Sequence, residues 1–297
     1  MIDLRYLIVI IQGDLSGMLT ILEILRKTTD FFSKKGIPNP RLEAEWIIAH
    51  GLGVDRLNLY LQFDRVLTEP EVQKLRAMTV RRGNREPLQY IIGEVDFCDI
   101  RLKVDKRALI PRPETEELVT LLTEKELANA PKRILDLGCG TGAIAIALAK
   151  NFPDAEVVAI DASPDSLALA KENAALNGLE KRVSFVLSDW FQEVSGLFDC
   201  IVSNPPYLTE NEWRTAQPEV KDFEPYSALV ANQEGLADLA NILRRAPAYL
   251  TEGGLLIMET GIAHHAELLQ LAKTIGYTDT KSLKDDQQRA RFFLARK

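Results

Sequence analysis

Cysteine and histidine are both scarce in this chain, with three of each in 297 residues. Cys98, Cys139 and Cys200 lie far apart and are odd in number. That excludes a disulfide frame and gives no zinc-type spacing. A reducing, cytoplasmic compartment is the expectation. A long hydrophobic run is also missing: the apolar stretch at residues 6–11 is too short for a bilayer, and no small-x-small cleavage pattern follows it. Met18 directly precedes an amphipathic pattern, so residues 1–17 are expected to be a dispensable extension from an upstream start codon. Positive charge is not in excess either. The net charge is −7, and residues 106–297 carry 21 Lys+Arg against 28 Asp+Glu. This balance argues against phosphate-driven binding of nucleic acid. What remains is 46% apolar and 27% charged, in a length sufficient for two domains with buried cores.

Residues 18–85 read as helices only. Leu19, Leu22, Leu25, Thr29 and Phe32 predict one apolar stripe, closed by Gly36 and Pro38. Residues 42–49 predict a second helix. Thr68-Glu69-Pro70-Glu71 opens a third, with a cap, a first-turn proline and acids at the positive helix end; it stops at Gly83. Arg81, Arg82 and Arg85 end the bundle either as a contact for an acidic partner or as a solvated helix end. Residues 86–105 change character, and 87–93 with 97–104 predict two short strands, a hairpin linking two domains. Over residues 106–297, strands at 134–137, 157–160, 183–187, 198–203 and 255–259 alternate with helices at 142–151, 164–177, 236–250 and 263–275. That alternation implies an α/β fold with a mostly parallel sheet. Residues 277–282 and 291–295 predict a terminal antiparallel hairpin.

Two stretches carry chemistry. Asn204-Pro205-Pro206-Tyr207 ends the apolar strand 198–203. Its prolines cannot donate ladder hydrogen bonds, and the first holds Asn204 extended. A stiff corner of amide, carbonyl and aromatic ring therefore stands where open sheets bind ligands. Upstream, Asp136-Leu137-Gly138-Cys139-Gly140-Thr141-Gly142 joins a strand to a helix, and its glycines let the backbone approach a ligand closely. Gly138-x-Gly140-x-x-Ala143 also fits a dinucleotide fingerprint, and Asp161 stands at the distance of a ribose-binding acid. Both NAD and S-adenosylmethionine place a nucleoside here. Asp136, suited to a cationic ligand, and the early third glycine favour S-adenosylmethionine. Asp189-Trp190 adds an acceptor for an adenine amine and an apolar surface beside its ring. No hydride-transfer constellation accompanies the loop. His50, His264 and His265 lie away from the Asn204 corner, and the adjacent pair at 264–265 reads as a solvated or capping feature, with no metal site. Residues 208–233 lack periodicity and include Trp213, Phe223, Pro225 and Tyr226; a connection this long predicts a lid or docking segment.

Together these motifs resemble the class I S-adenosylmethionine-dependent amino-methyltransferases, whose sheet is Rossmann-like. The stretches at 87–93 and 110–116 and the N-terminal bundle further resemble the release factor glutamine methyltransferases (HemK/PrmC), with the match running from Met18 to the end. The resemblance implies methylation of the side-chain nitrogen (N5) of glutamine in the Gly-Gly-Gln motif of peptide chain release factors, with the bundle recognising that protein substrate. It implies cofactor contacts from Asp136, Gly138, Cys139, Gly140, Thr141, Gly142, Asp161, Asp189, Trp190 and Asn204. Asn204, Pro205, Pro206 and Tyr207 would bind the glutamine, with Asn204, Pro205 and Tyr207 catalytic. A monomer with no stable nucleic-acid partner, no membrane and no metal is expected. Methylation of a ribosomal-protein glutamine or of adenine N6 in nucleic acid is the alternative. Asp285-Asp286-Gln287-Gln288-Arg289 departs from the family's glycine-containing turn.

Overall fold

A computed structural model describes residues 19–126 and 130–297; the expectation for residues 1–17 lies outside them. The chain divides into two units, with the boundary between Ile92 and Gly93.

In the first unit, the helix Ile21–Lys34 starts from a capping box. Glu23 N donates to Thr20 Oγ1 and Thr20 N donates to Glu23 Oε2 at 2.8 Å. Its buried face is Ile21, Ile24, Leu25, Thr28, Phe31 and Phe32. The predicted stripe is therefore corrected by one position, because Leu22 and Thr29 are only half-buried. Apolar residues occupy both phases, so period alone could not choose between them. The partner helices are Pro40–Leu52 and Glu69–Gly83, the latter opened by the expected Thr68–Glu71 capping box. The arginines at the end of that helix are paired within the unit, and only Arg81 is exposed. Arg82 is buried and pairs with Glu43, Arg81 grips Glu86 with two nitrogens, and Arg85 donates to Gly36 O. The strand predicted over 87–93 is also corrected. Leu88–Ile92 is a short helix, with Ile91 N donating to Pro87 O and Ile91 buried in the helical core. Pro87 suits a helix start, where no N–H is needed, and the buried Ile91 outweighs the β preference of two adjacent isoleucines.

The second unit opens with the antiparallel hairpin β1 (Glu94–Phe97) and β2 (Ile100–Lys103). Phe97, Ile100 and Leu102 are buried. Asn173, on the helix Pro164–Leu176, mimics a strand partner: its Oδ1 accepts from Lys103 N at 2.7 Å and its Nδ2 donates to Lys103 O at 3.1 Å. The main sheet follows, with β3 (Arg133–Leu137), β4 (Glu156–Asp161), β5 (Val183–Leu187), β6 (Phe198–Ser203), β7 (Leu250–Glu259), β8 (Asp279–Lys284) and β9 (Ala290–Arg296). The order is β5-β4-β3-β6-β7-β9-β8, parallel through β7 and antiparallel at the terminal hairpin. One apolar layer lies under the helices Ala143–Asn151 and Pro164–Leu176, the other under Ala237–Arg245 and His265–Ile275. Strand order reverses between β3 and β6, the place where sheets of this kind leave a crevice.

The turn between β8 and β9 shows how its missing glycine is replaced. Gln288 takes the left-handed conformation, φ 64°, and Asp285 holds the turn by accepting from Arg289 N and Nε, each bond under 3 Å. His264 and His265 are buried, contrary to a solvated pair: His265 bridges Thr260 and Ser282, and His264 meets Glu234 O. Among the described residues no group of side chains could hold a metal, and no helix is long and apolar enough to cross a membrane.

Candidate active site

The carboxyl ends of β3, β4 and β6 open on a cavity of about 430 Å³, within the roughly 300–1,000 Å³ of small-molecule sites. The glycine loop forms one wall. Gly138 N and Cys139 N both donate to Ile160 O at the end of β4, and Gly140 N donates to Asp161 Oδ2 at 2.9 Å. Gly142 is needed on two counts: its φ is 81°, and a Cβ there would meet Ala170 Cβ and Ile146 Cδ1 at 3.1 Å.

Asp161 lines the cavity with both oxygens already accepting backbone N–H groups, from Gly140 and from Ser163. Each carboxylate oxygen keeps a second lone pair, so further donors can be accepted. Burial pushes its carboxyl above the ordinary range, opposed by those backbone bonds. Asp136 lies deeper. It is wholly buried in β3, Oδ2 accepts from Ala145 N at 3.1 Å, and Oδ1 has no partner. Burial, reinforced by the charge of Asp161, raises its pKa to about 7.

Trp190 lines the same cavity in the left-handed conformation (φ 50°), its ring 3.7 Å from where a Cβ on Gly138 would stand. A bulky residue at positive φ is strained. Ser188 Oγ helps to hold it there by donating to Trp190 O at 2.8 Å. The Trp190 side chain is also hydrogen-bonded to Asp238, whose carboxyl burial pushes up. Asp189 is exposed and accepts from Gln192.

Opposite the loop stands Asn204, at the end of β6. Its Nδ2 donates to Thr115 Oγ1 at 3.1 Å, and Thr115 Oγ1 donates to Glu259 Oε2 at 2.7 Å. Glu259 Oε1 accepts from the Tyr207 hydroxyl at 2.9 Å, and Arg291 Nη1 reaches that hydroxyl at 3.4 Å. Burial pushes both the Glu259 carboxyl and the Tyr207 phenol upward.

The structure thus brings Gly138, Cys139, Gly140, Thr141, Asp161, Asp189, Trp190, Asn204 and Pro206 onto one cavity. Asp136, Gly142, Pro205 and Tyr207 are not among its lining residues. Sequence reading missed Asp238, Ser188 and the roles of Thr115 and Arg112, whose residue types carry no local signal. The stretch 208–233 is not structureless. It folds as the helices Glu210–Thr215 and Pro218–Lys221 and a 3-10 turn at Tyr226–Ala228. Glu224 anchors it by accepting from Ile110 N and pairing with Arg112, and this puts Pro225, Ser227 and Ala228 on the cavity wall. A loop cradle, an acid at the ribose position, an unpartnered buried carboxylate oxygen and a planar amide suit a nucleoside bearing a cationic group.

Known proteins resemble the chain in sequence and in fold. Residues 23–93 match the PrmC N-terminal domain and residues 114–219 match the Methyltransferase small domain. The chain is 40% identical over 269 residues to the release factor glutamine methyltransferase of Geobacter sulfurreducens, covering 90% of this chain and 93% of that one. It is 40% identical over 277 residues to that of Chlorobaculum tepidum, with 90% and 93% covered. In fold it is similar to a T. thermophilus 16S rRNA N2 G1207 methyltransferase solved with AdoMet and guanosine: TM-score 0.50, 19% identity, 69% of this chain and 49% of that one.

Proposed function

Because the chain belongs to the release factor glutamine methyltransferase family, we propose that it methylates the side-chain nitrogen of the glutamine in the Gly-Gly-Gln motif of peptide chain release factors. The observation that carries this is the placement of Asn204 on the same cavity as the glycine loop and Asp161. S-adenosylmethionine, when bound, supplies an electrophilic methyl group on a sulfonium. Gly138, Gly140 and Thr141 would hold it from the loop, with Asp161 as acceptor for the ribose, Asp189 for an amine of the adenine, and Trp190 as apolar surface beside the ring. The unpartnered Oδ1 of Asp136 places negative charge beneath the loop, where it favours a cation.

A glutamine amide is a weak nucleophile, since its nitrogen lone pair is delocalised into the carbonyl. Asn204 Oδ1 and the Pro205 carbonyl accept its two N–H groups and favour positive charge building on nitrogen. The prolines keep that carbonyl fixed. The Tyr207 ring stiffens the corner, held through its hydroxyl by Glu259. No base is needed beforehand, because the methylated nitrogen is acidic and releases its proton afterwards; no histidine lines the cavity among the described residues.

The helical unit is assigned the recognition of the release factor, supported by the exposed Trp46, Leu57 and Leu61 on its surface. The segment 208–233 acts as a lid over the glutamine. The protein works as a cytoplasmic monomer. Incubation with labelled S-adenosylmethionine and separate pools of release factors, ribosomal proteins and DNA tests the assignment. Label is expected in release factors; label confined to either other pool contradicts it.

A further inference from the structure

We propose that Thr115 and Glu259 are positioning residues that fix which face of the Asn204 amide meets the substrate. An asparagine amide has two orientations of nearly equal shape, one presenting oxygen and the other NH2, and only its hydrogen-bond partners decide between them. At Asn204 the decision is made at a distance. Arg291 is a donor only, so the Tyr207 hydroxyl accepts from it and spends its single proton on Glu259 Oε1. Glu259, 1% exposed, accepts from both hydroxyls, one on each carboxyl oxygen. Thr115 therefore also spends its proton on Glu259, at 2.7 Å, and has only lone pairs left for Asn204. An acceptor at that position takes Nδ2, the contact seen at 3.1 Å. Oδ1 is consequently turned away from Thr115 and left for the N–H of a substrate amide. With the chain reversed, Asn204 would present NH2 to NH2, donor against donor.

Two runs of donors thus converge on Glu259 on β7, one from Arg291 on β9 through the Tyr207 hydroxyl, the other from Asn204 after β6 through Thr115 on the helix Pro113–Leu121. The inference rests on the acceptor role assigned to Asn204 above, so its test carries a readout that needs no release factor. Thr115→Val keeps the shape and removes the hydroxyl; Thr115→Ser restores it. Turnover should fall on the order of 10²-fold in Thr115→Val, the loss seen when one transition-state hydrogen bond is removed. KM for the release factor and Kd for the cofactor should change little, and Thr115→Ser should recover most of the loss. Glu259→Gln, which permits the reversed direction, should also lower turnover and serves if the valine variant does not fold. Without substrate, NMR should show the Asn204 side-chain amide protons exchanging slowly with water in the wild type and the serine variant, and faster in the valine variant. Equal turnover in the valine and serine variants, undiminished turnover in Glu259→Gln, or unchanged amide exchange in Thr115→Val overturns the proposal. A wild type that methylates no release factor removes the functional assignment instead and leaves the exchange result to stand by itself.

Discussion

The glycine loop and the Asn204 corner end two adjacent strands of one sheet, yet they are built on opposite principles. The loop works with backbone. Its shape comes from positive φ at Gly138, Gly140 and Gly142 and from N–H groups given to Ile160 and Asp161, all within one strand–turn–helix–strand passage. The corner works with side chains, and Asn204 is oriented through Thr115, Glu259, Tyr207 and Arg291, drawn from the far reaches of the second unit. A backbone cradle binds whatever has the right shape and charge. A polarised side-chain chain selects one direction of hydrogen bond. The first suits holding a cofactor, the second suits discriminating a reacting amide.

That contrast can be broken most severely at Asn204. Asn204→Ala should reduce methyl transfer by roughly 10²–10³-fold, the cost of one preorganised partner of the transition state, while calorimetry finds cofactor affinity within a few-fold of wild type. Unchanged turnover removes Asn204 from the chemistry. Asp161→Ala should do the reverse. Losing a charge-assisted bond should weaken cofactor binding by about 1.5–3 kcal/mol, with turnover at saturating cofactor largely kept; an unaltered Kd would erase the division of labour. Gly142→Ala tests the loop alone. The left-handed backbone should cost about 1–2 kcal/mol, before any contribution from the crowding against Ala170 and Ile146, and chemical denaturation reads the sum.

A pH trend at Asp136 probes the ground beneath the loop. Its pKa, about 7 in the folded protein, lies above the roughly 3.9 of an unfolded aspartate. Its contribution to stability is therefore fully present below about pH 4 and is lost as pH rises towards about 7. Asp136→Asn does not ionise, so ligand-free wild type should fall behind the variant across that window. A gap of about 2–4 °C in Tm per kcal/mol should open by pH 8 and be absent at low pH. A gap that does not grow with pH would show that Asp136 is ionised throughout.

The loop is readable in the sequence because its determinants are local. Glycine spacing, an acid at the end of the next strand and an apolar run on each side need no knowledge of tertiary contacts, and β5 and β6 span the residues that apolar runs and turn residues indicated. The wiring of the corner is not readable. Thr115 and Glu259 are 144 positions apart, and nothing in either residue's neighbourhood names the other. The same physics explains the errors. Residues 88–92 look strand-like locally, but they form a helix that seats Ile91 in the helical core. Arg82 looks like a solvated cation until the fold brings Glu43 to it from 39 positions away.

The central claim is that Asn204 presents an acceptor to a release-factor glutamine in front of the cofactor site. Fragment mass spectrometry of a release factor incubated with S-adenosylmethionine and the enzyme tests it most directly. The prediction is one methyl group on the Gly-Gly-Gln glutamine with wild type and none with Asn204→Ala. A methyl group on another residue, or equal methylation by both proteins, would contradict it.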